Sequence, residues 1–281
     1  MANIYQLDAA FDGLAPAPAC PCCNGKTSLF GTKEFNITGN DYFCGERQFT
    51  DSGIQVPYYT CNTCSYLFTN AMDSWSDEDF KNLIYNNEYI KTDPPFTYDR
   101  PKGNAEMLAH LFGATRNVLT VLDYGGGNGL LAKMLKGKGF CAKSYDPFHD
   151  NPNIQKGKRY HLVTAFEVVE HVPDQKKLFK DMLGYIGDTG VLFFSTLLQN
   201  DDFAQDGMNW WYICPRNGHV GFHTEASLKT LAASLGYKYH NLTGELHMIC
   251  KQVPGYARHL LEEKEQLPCP NSPKSRRFDA A

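Results

Sequence analysis

The sequence predicts an α/β protein: a doubly wound, mostly parallel sheet preceded by a small metal-binding β module. Three observations lead there. From Asn117 to Lys251, apolar strand-like runs alternate with amphipathic helical ones, a pattern that builds a parallel sheet with helices on both faces. The stretch "LDYGGGNGLLAK", Leu122 to Lys133, crowds four glycines into five positions between a strand and a helix start. Six of the ten cysteines fall within the first 64 residues, and such clustering in a reducing compartment points to metal before disulfide.

The elements follow in order. Residues 1–19 read as a loose lead-in ending in "APAPA", and residues 20–73 as a cysteine-bearing module of short strands such as those in "QVPYYTCNTCSYLFTN". Residues 74–116 read as a helical connector, opening at "SWSDEDF" with a serine cap and an acidic first turn. Across 117–255, "NVLTVLDY", "FCAKSYD", "HLVTAFEVV" and "GVLFFSTLL" are strands, while "NGLLAKMLKGKG", "DQKKLFKDMLGYIG" and "TEASLKTLAASLG" are helices. "YKYHNLTG" and "ELHMICKQ" are joined by a short turn and are expected to pair antiparallel. Residues 256–281 are expected to be a C-terminal helix and tail, partly disordered.

Composition excludes several classes. No apolar run approaches the ~20 residues that a membrane-spanning helix needs. The N-terminus lacks a basic n-region and a compact apolar h-region, so the expected compartment is the cytoplasm. The net charge is −4, but residues 1–100 carry 6 Lys/Arg against 13 Asp/Glu. An acidic cysteine-rich end argues against a grip on nucleic-acid phosphates, which needs Lys and Arg.

The cysteine spacings Cys20-x2-Cys23 and Cys61-x2-Cys64 suit a tetrahedral Zn²⁺ held by four thiolates, a closed and structural kind of site. Cys22 or Cys44 is an alternative ligand on spacing alone. The glycine turn presents backbone and a helix N-terminus to a ligand. Leu130 stands where a dinucleotide fingerprint would have its third glycine, and no G-K-[ST] follows to make a P-loop. The spacing that is present is D-x-G-x-G-x-G: Asp123, Gly125, Gly127 and Gly129, with Gly126 between.

That motif resembles the first motif of class I S-adenosylmethionine-dependent methyltransferases, whose fold is a Rossmann-like sheet of the seven-stranded type. The resemblance covers about residues 105–251. It implies S-adenosylmethionine as cofactor, Asp146 of "SYDPF" on its ribose hydroxyls, and Phe166 and Glu167 of "LVTAFEVVEHVPD" near its methionine part, with Glu170 and His171 just beyond. Only fifteen residues separate Asp146 from Leu162, too few for a full helix and third strand, and no adenine-binding acid is identifiable there. The segment around "CPCCNG" and "YYTCNTCSYLFTN" is similar to a zinc-ribbon module found ahead of the methyltransferase domain in sugar C-methyltransferases and related bacterial enzymes.

The resemblance implies a small polar acceptor, with C-methylation of a nucleotide-linked sugar favoured. The long connection "QNDDFAQDGMNWWYICPRNGHVGFH" follows the strand beside the cofactor and is rich in aromatics and histidine. His219 or His223, helped by Glu225, is expected to take a proton from the acceptor, with His171 as an alternative base; Trp210, Trp211 and Tyr212 would exclude water. Two other readings stand beside this one: an RNA-directed methyltransferase, and a non-catalytic cofactor-binding protein whose zinc module serves assembly.

Overall fold

The computed structural model describes residues 17–148, 157–262, 264 and 267. The expected lead-in up to residue 16 and the tail from 268 onward lie outside the described residues. Ten strands are present among these: β1 (Thr27–Glu34), β2 (Gln55–Cys61), β3 (Leu67–Phe68), β4 (Thr120–Tyr124), β5 (Cys141–Tyr145), β6 (Tyr160–Phe166), β7 (Ile186–Ser195), β8 (Gly221–Phe222), β9 (Lys238–Asn241) and β10 (Leu246–Cys250). The helices used below are α1 (Gly39–Cys44), α2 (Asp77–Leu83), α3 (Asp99–Phe112), α4 (Leu130–Gly137), α5 (Gln175–Gly184), α6 (Asp201–Asp206) and α7 (Glu225–Ser234). No described helix is long and apolar enough to cross a membrane.

The chain divides into two compact units whose limits cut across the expected segments. Unit 1 comprises residues up to Pro94, Glu170–Lys176 and Leu197–Leu231; unit 2 comprises Pro95–Val169, Lys177–Thr196 and residues from Ala232 on.

Unit 1 is built on an antiparallel sheet in the order β1-β2-β3-β8. Its fourth strand comes from the long aromatic connection, through Leu67 opposite Phe222 and Phe68 opposite Gly221. Trp210, Tyr212 and Phe222 from that connection pack on one another and, through Phe222, on Tyr58 in the core of this unit, where Tyr66 is also buried. Gly221 is required by this packing, because a Cβ there would run into the Tyr66 hydroxyl. The serine start of α2 is present as a capping box: the Ser76 side chain accepts from the Asp79 N–H, and Asp79 reaches back to the Ser76 N–H. The helix expected from this start stops at Leu83, and a separate turn follows at Tyr89–Thr92.

Unit 2 holds a six-stranded sheet in the order β5-β4-β6-β7-β10-β9. β5, β4, β6 and β7 are mutually parallel, while β10 and β9 close the sheet as an antiparallel pair. The strand order reverses at β4, which has β5 on one side and β6 on the other; open α/β sheets bind ligands at such a point. Phe112, Leu119, Val121, Leu135, Leu162 and Phe193 are among the side chains that fill its core.

The seven-stranded type is met with six strands among the described residues. A further strand with its crossover would have to fall in 146–159, between β5 and β6, a stretch too short for a full crossover; residues 149–156 lie outside the described residues.

Candidate functional site

The glycine turn lies between β4 and α4, and each of its glycines has a physical reason. Gly125 has φ +71°, and a Cβ on it would sit 2.5 Å from Val168 Cγ2. At Gly126 a Cβ would collide with Asp123 Oδ2 and Ser144 Oγ. Gly127 and Gly129 also have positive φ, at 53° and 77°. The Gly125 and Gly126 N–H groups donate to the Tyr145 carbonyl at 2.8 and 3.1 Å, tying the turn to the end of β5.

Asp146 is fixed by two backbone donors: the Gly127 N–H to Oδ2 and the Phe148 N–H to Oδ1, both 2.8 Å. A carboxylate oxygen can accept more than one hydrogen bond, which suits this group to a vicinal diol. Asp123 is wholly buried, and burial pushes its carboxyl up to about 7, against the hydrogen bond from Thr164 and with the charge of Asp146 adding to the rise. Asp123 Oδ2 and the Ser144 hydroxyl are buried together beneath Gly126, so polar groups already desolvated face the bare bend. An adenosyl cofactor with hydroxyl and ammonium donors fits this set of acceptors.

At the end of β6, Phe166 packs edge-on against Phe193, and Glu167 adopts φ +54°. A non-glycine residue in that region is strained and is retained where its surroundings fix it. Ser195, at the end of β7, does the fixing: its hydroxyl accepts from the Glu167 N–H at 3.0 Å and donates to Glu167 Oε1 at 2.9 Å. Ser195, Ser144 and Val168 are site residues that the sequence reading missed. Only their register positions at the carboxyl ends of strands, or just past one, could have signalled them.

Unit 1 brings Cys20, Cys23, Cys61 and Cys64 together, all four sulfurs lying within 4.8 Å of one another. An ion about 2.3 Å from four tetrahedral sulfurs holds them about 3.8 Å apart. The Cys20–Cys64 and Cys23–Cys61 separations are 3.7 and 3.4 Å, so the donor set fits Zn²⁺. The two knuckles share a turn geometry. Asn24 and Ser65 follow the second cysteine of each with φ of 60° and 57°; the backbone N–H support differs, Gly25 meeting the second sulfur of its pair (Cys23) and Thr63 the first of its pair (Cys61), both at 3.4 Å. Cys22 is buried outside this quartet, and Cys44 is exposed on α1, its thiol facing Asn40.

Of the four candidates for proton removal, His171 and His219 come together, their rings 4.7 Å apart and edge to face. Glu170, wholly buried, completes a cluster with them. His223 is also wholly buried, but its Nδ1 contacts the Ser227 hydroxyl at 2.9 Å and its Nε2 the Gln175 Oε1 at 3.0 Å, with the Tyr66 ring tilted against it, centroids 4.5 Å apart. Glu225 opens α7 with a half-exposed carboxylate paired to Lys229 one turn on. Trp210 and Tyr212 are core residues of unit 1, and Trp211 packs on Tyr42 and Phe43.

A nucleotide-type cradle at the reversal point of a doubly wound sheet defines a class, and comparison with known proteins gives the family. A profile described as "Methyltransferase domain" matches residues 96–242, and the chain belongs to that family. Ubiquinone biosynthesis O-methyltransferase of Coxiella burnetii is 28% identical over 28% of this chain and 44% of its own length. The protein of the same name from Rickettsia felis is 27% identical, over 28% of this chain and 41% of its own. The chain thus spans less than half the length of these relatives. Among solved structures, magnesium protoporphyrin IX methyltransferase from Synechocystis PCC 6803 with bound SAH aligns at a TM-score of 0.43 and 14% identity, covering 64% of this chain and 97% of that one.

Proposed function

We propose that the protein is an S-adenosylmethionine-dependent methyltransferase acting on a small polar metabolite. The observation that carries this reading is the bare bend Gly125–Gly129, flanked by the buried Asp123 and the doubly held Asp146, within a methyltransferase-family domain. When bound, the cofactor supplies an electrophilic methyl group on a sulfonium. Asp146 accepts the ribose hydroxyls, Asp123 answers polar groups of the cofactor near the turn, and the Ser195–Glu167 pair orients a carboxylate toward its methionine part. Zn²⁺ on Cys20, Cys23, Cys61 and Cys64 is structural and fixes the two knuckles of unit 1.

The acceptor must lose a proton as it takes the methyl group. His171 and His219, gathered around Glu170, are the groups we assign to that proton. His223, with both ring nitrogens engaged, serves to hold its surroundings, and Glu225 is left as a helper at the surface. Within this function, C-methylation of a nucleotide-linked sugar is the favoured reaction, supported by the cysteine module. O-methylation is the second reading, supported by the names of the ubiquinone biosynthesis relatives.

The test is incubation of the zinc-loaded protein with methyl-labelled S-adenosylmethionine and two acceptor panels, keto-sugar nucleotides and hydroxylated metabolites. Product mass and fragmentation then locate the methyl group. Label on a sugar carbon supports the favoured reaction and label on oxygen the second. Salt-sensitive labelling of RNA would replace both, and cofactor binding without transfer to any acceptor would favour the non-catalytic alternative.

A further inference from the structure

We infer that Glu170, His171 and His219 form a second metal site, for a divalent first-row transition ion, distinct from the four-cysteine centre. One ligand atom from each of the three lies within 4.8 Å of the others. Two imidazoles and one carboxylate are a donor set that suits Fe²⁺, Zn²⁺, Ni²⁺ or Co²⁺ and leaves open coordination positions.

The hydrogen bonds around the cluster set the rings for this task. His219 Nδ1 lies 2.8 Å from the Tyr212 carbonyl and His171 Nδ1 lies 3.2 Å from the Gly218 carbonyl. A carbonyl only accepts, so each neutral ring carries its proton on Nδ1 and its lone pair on Nε2. Backbone carbonyls that fix the tautomer and orientation of a metal-ligating histidine are the usual outer layer of such sites. The carboxylate has its own support: the Tyr212 hydroxyl donates to Glu170 Oε1 at 2.8 Å. Tyr212 therefore holds two of the three ligands, one through its hydroxyl and one through its carbonyl.

Distances agree with a site that closes slightly on loading. His171 Nε2 is 4.0 Å from Glu170 Oε1. An ion about 2.1 Å from each would bring tetrahedral ligands about 3.4 Å apart, a contraction of about half an ångström. Glu170 is wholly buried and His171 nearly so, and a cation beside a buried carboxylate stabilises its charge. The backbone adds rigidity, since the Val220 N–H donates to the Glu170 carbonyl at 2.8 Å and so ties the segment carrying His219 to the one carrying Glu170 and His171.

The inference bears on residues to which the proposed function gives proton removal. Each ring offers its single Nε2 lone pair to a proton in the unloaded chain and to the ion in the loaded one, so metal content reports which of the two forms is present. Binding itself does not depend on methyl transfer, and the two can fail separately.

The experiment is metal analysis of the purified full-length chain after loading with Co²⁺ and removal of excess, alongside its absorption spectrum. The expected result is two ions per chain, only one of which gives sulfur-to-cobalt charge transfer. His171→Asn should lower the content to one ion and keep the charge-transfer band, while Cys61→Ser should lose that band. Wild-type imidazole proton resonances of His171 and His219 should be shifted and broadened by cobalt, a readout that requires no variant to fold. One ion per chain with only the thiolate spectrum, or two ions persisting in His171→Asn, would overturn the inference.

Discussion

Replacing Gly125 by alanine tests the cradle without touching any polar group. The residue has φ +71°, and its new Cβ would stand 2.5 Å from Val168 Cγ2 and 3.4 Å from Val168 Cγ1. Holding an L-residue in the left-handed region costs about 1–2 kcal/mol. Carbon pairs prefer about 3.5–4.0 Å, so the overlap with Val168 is about 1 Å, and forcing such a group into a packed site costs about 1–3 kcal/mol. The variant should therefore lose about 2–5 kcal/mol from unit 2. Adding Val168→Ala removes the overlap but not the backbone penalty. Measured against Val168→Ala alone, Gly125→Ala should then cost only about 1–2 kcal/mol, a coupling of about 1–3 kcal/mol between the two sites. All three tryptophans lie in unit 1, so fluorescence would follow the wrong unit; amide exchange on β4 and β6 reports the right one. Equal losses from Gly125→Ala with and without Val168 would refute the packing argument. No loss in either background would refute the backbone argument as well.

Asp123→Asn addresses the buried carboxyl. Its folded value of about 7 lies above the ordinary value of about 3.9, so between those pH values the folded state holds a proton that the unfolded state has lost. Stability from this group therefore falls as pH rises from about 4 to about 7, by a few kcal/mol in order of magnitude. Denaturant titrations at pH 5 and pH 8 should show the variant losing that slope; parallel wild-type and variant profiles would contradict it. Ser195→Ala leaves the strained Glu167 N–H without its acceptor, at a cost of about 1–3 kcal/mol, and S-adenosylhomocysteine affinity should drop with it; unchanged affinity would remove Glu167 from the cofactor site. Cys61→Ser or chelation should release Zn²⁺ and unfold the knuckles of unit 1, seen as loss of tryptophan emission change on heating, whereas full metal retention would mean a different ligand set. Once the acceptor is known, His219→Ala and His171→Ala should slow turnover by about 10²–10⁴, with His223→Ala affecting stability more than rate; wild-type rates in His219→Ala and His171→Ala would sink the assignment of the proton.

What was legible in the sequence was whatever rests on local pattern. The strand–glycine–helix unit at β4, the antiparallel pair β9 and β10, and the Ser76 cap each carry their signal within a dozen residues. The cysteine pairs are legible for the same reason, since a knuckle needs its two sulfurs close in the chain. The long aromatic connection was not legible in this way. It reads as a cover for a pocket, yet β8 is two residues long and pairs with β3 more than 150 positions earlier in the chain, and no periodicity marks a strand of that length. Its tryptophans are explained by the core of unit 1 that they fill. The role of Ser195 was hidden similarly: nothing in "FFSTLL" says that its hydroxyl will hold a residue from the neighbouring strand. The Glu170–His171 pair was visible as two adjacent letters, but its meeting with His219, 48 positions on, belongs to tertiary structure.

Titration calorimetry of the zinc-loaded chain with S-adenosylhomocysteine probes the proposed adenosyl pocket most directly. Saturable heat from one site per chain is predicted, weakened at least about tenfold by Asp146→Ala, a change of about 1.4 kcal/mol or more. A folded wild-type protein that releases no heat with this ligand or with S-adenosylmethionine would contradict the account at its base.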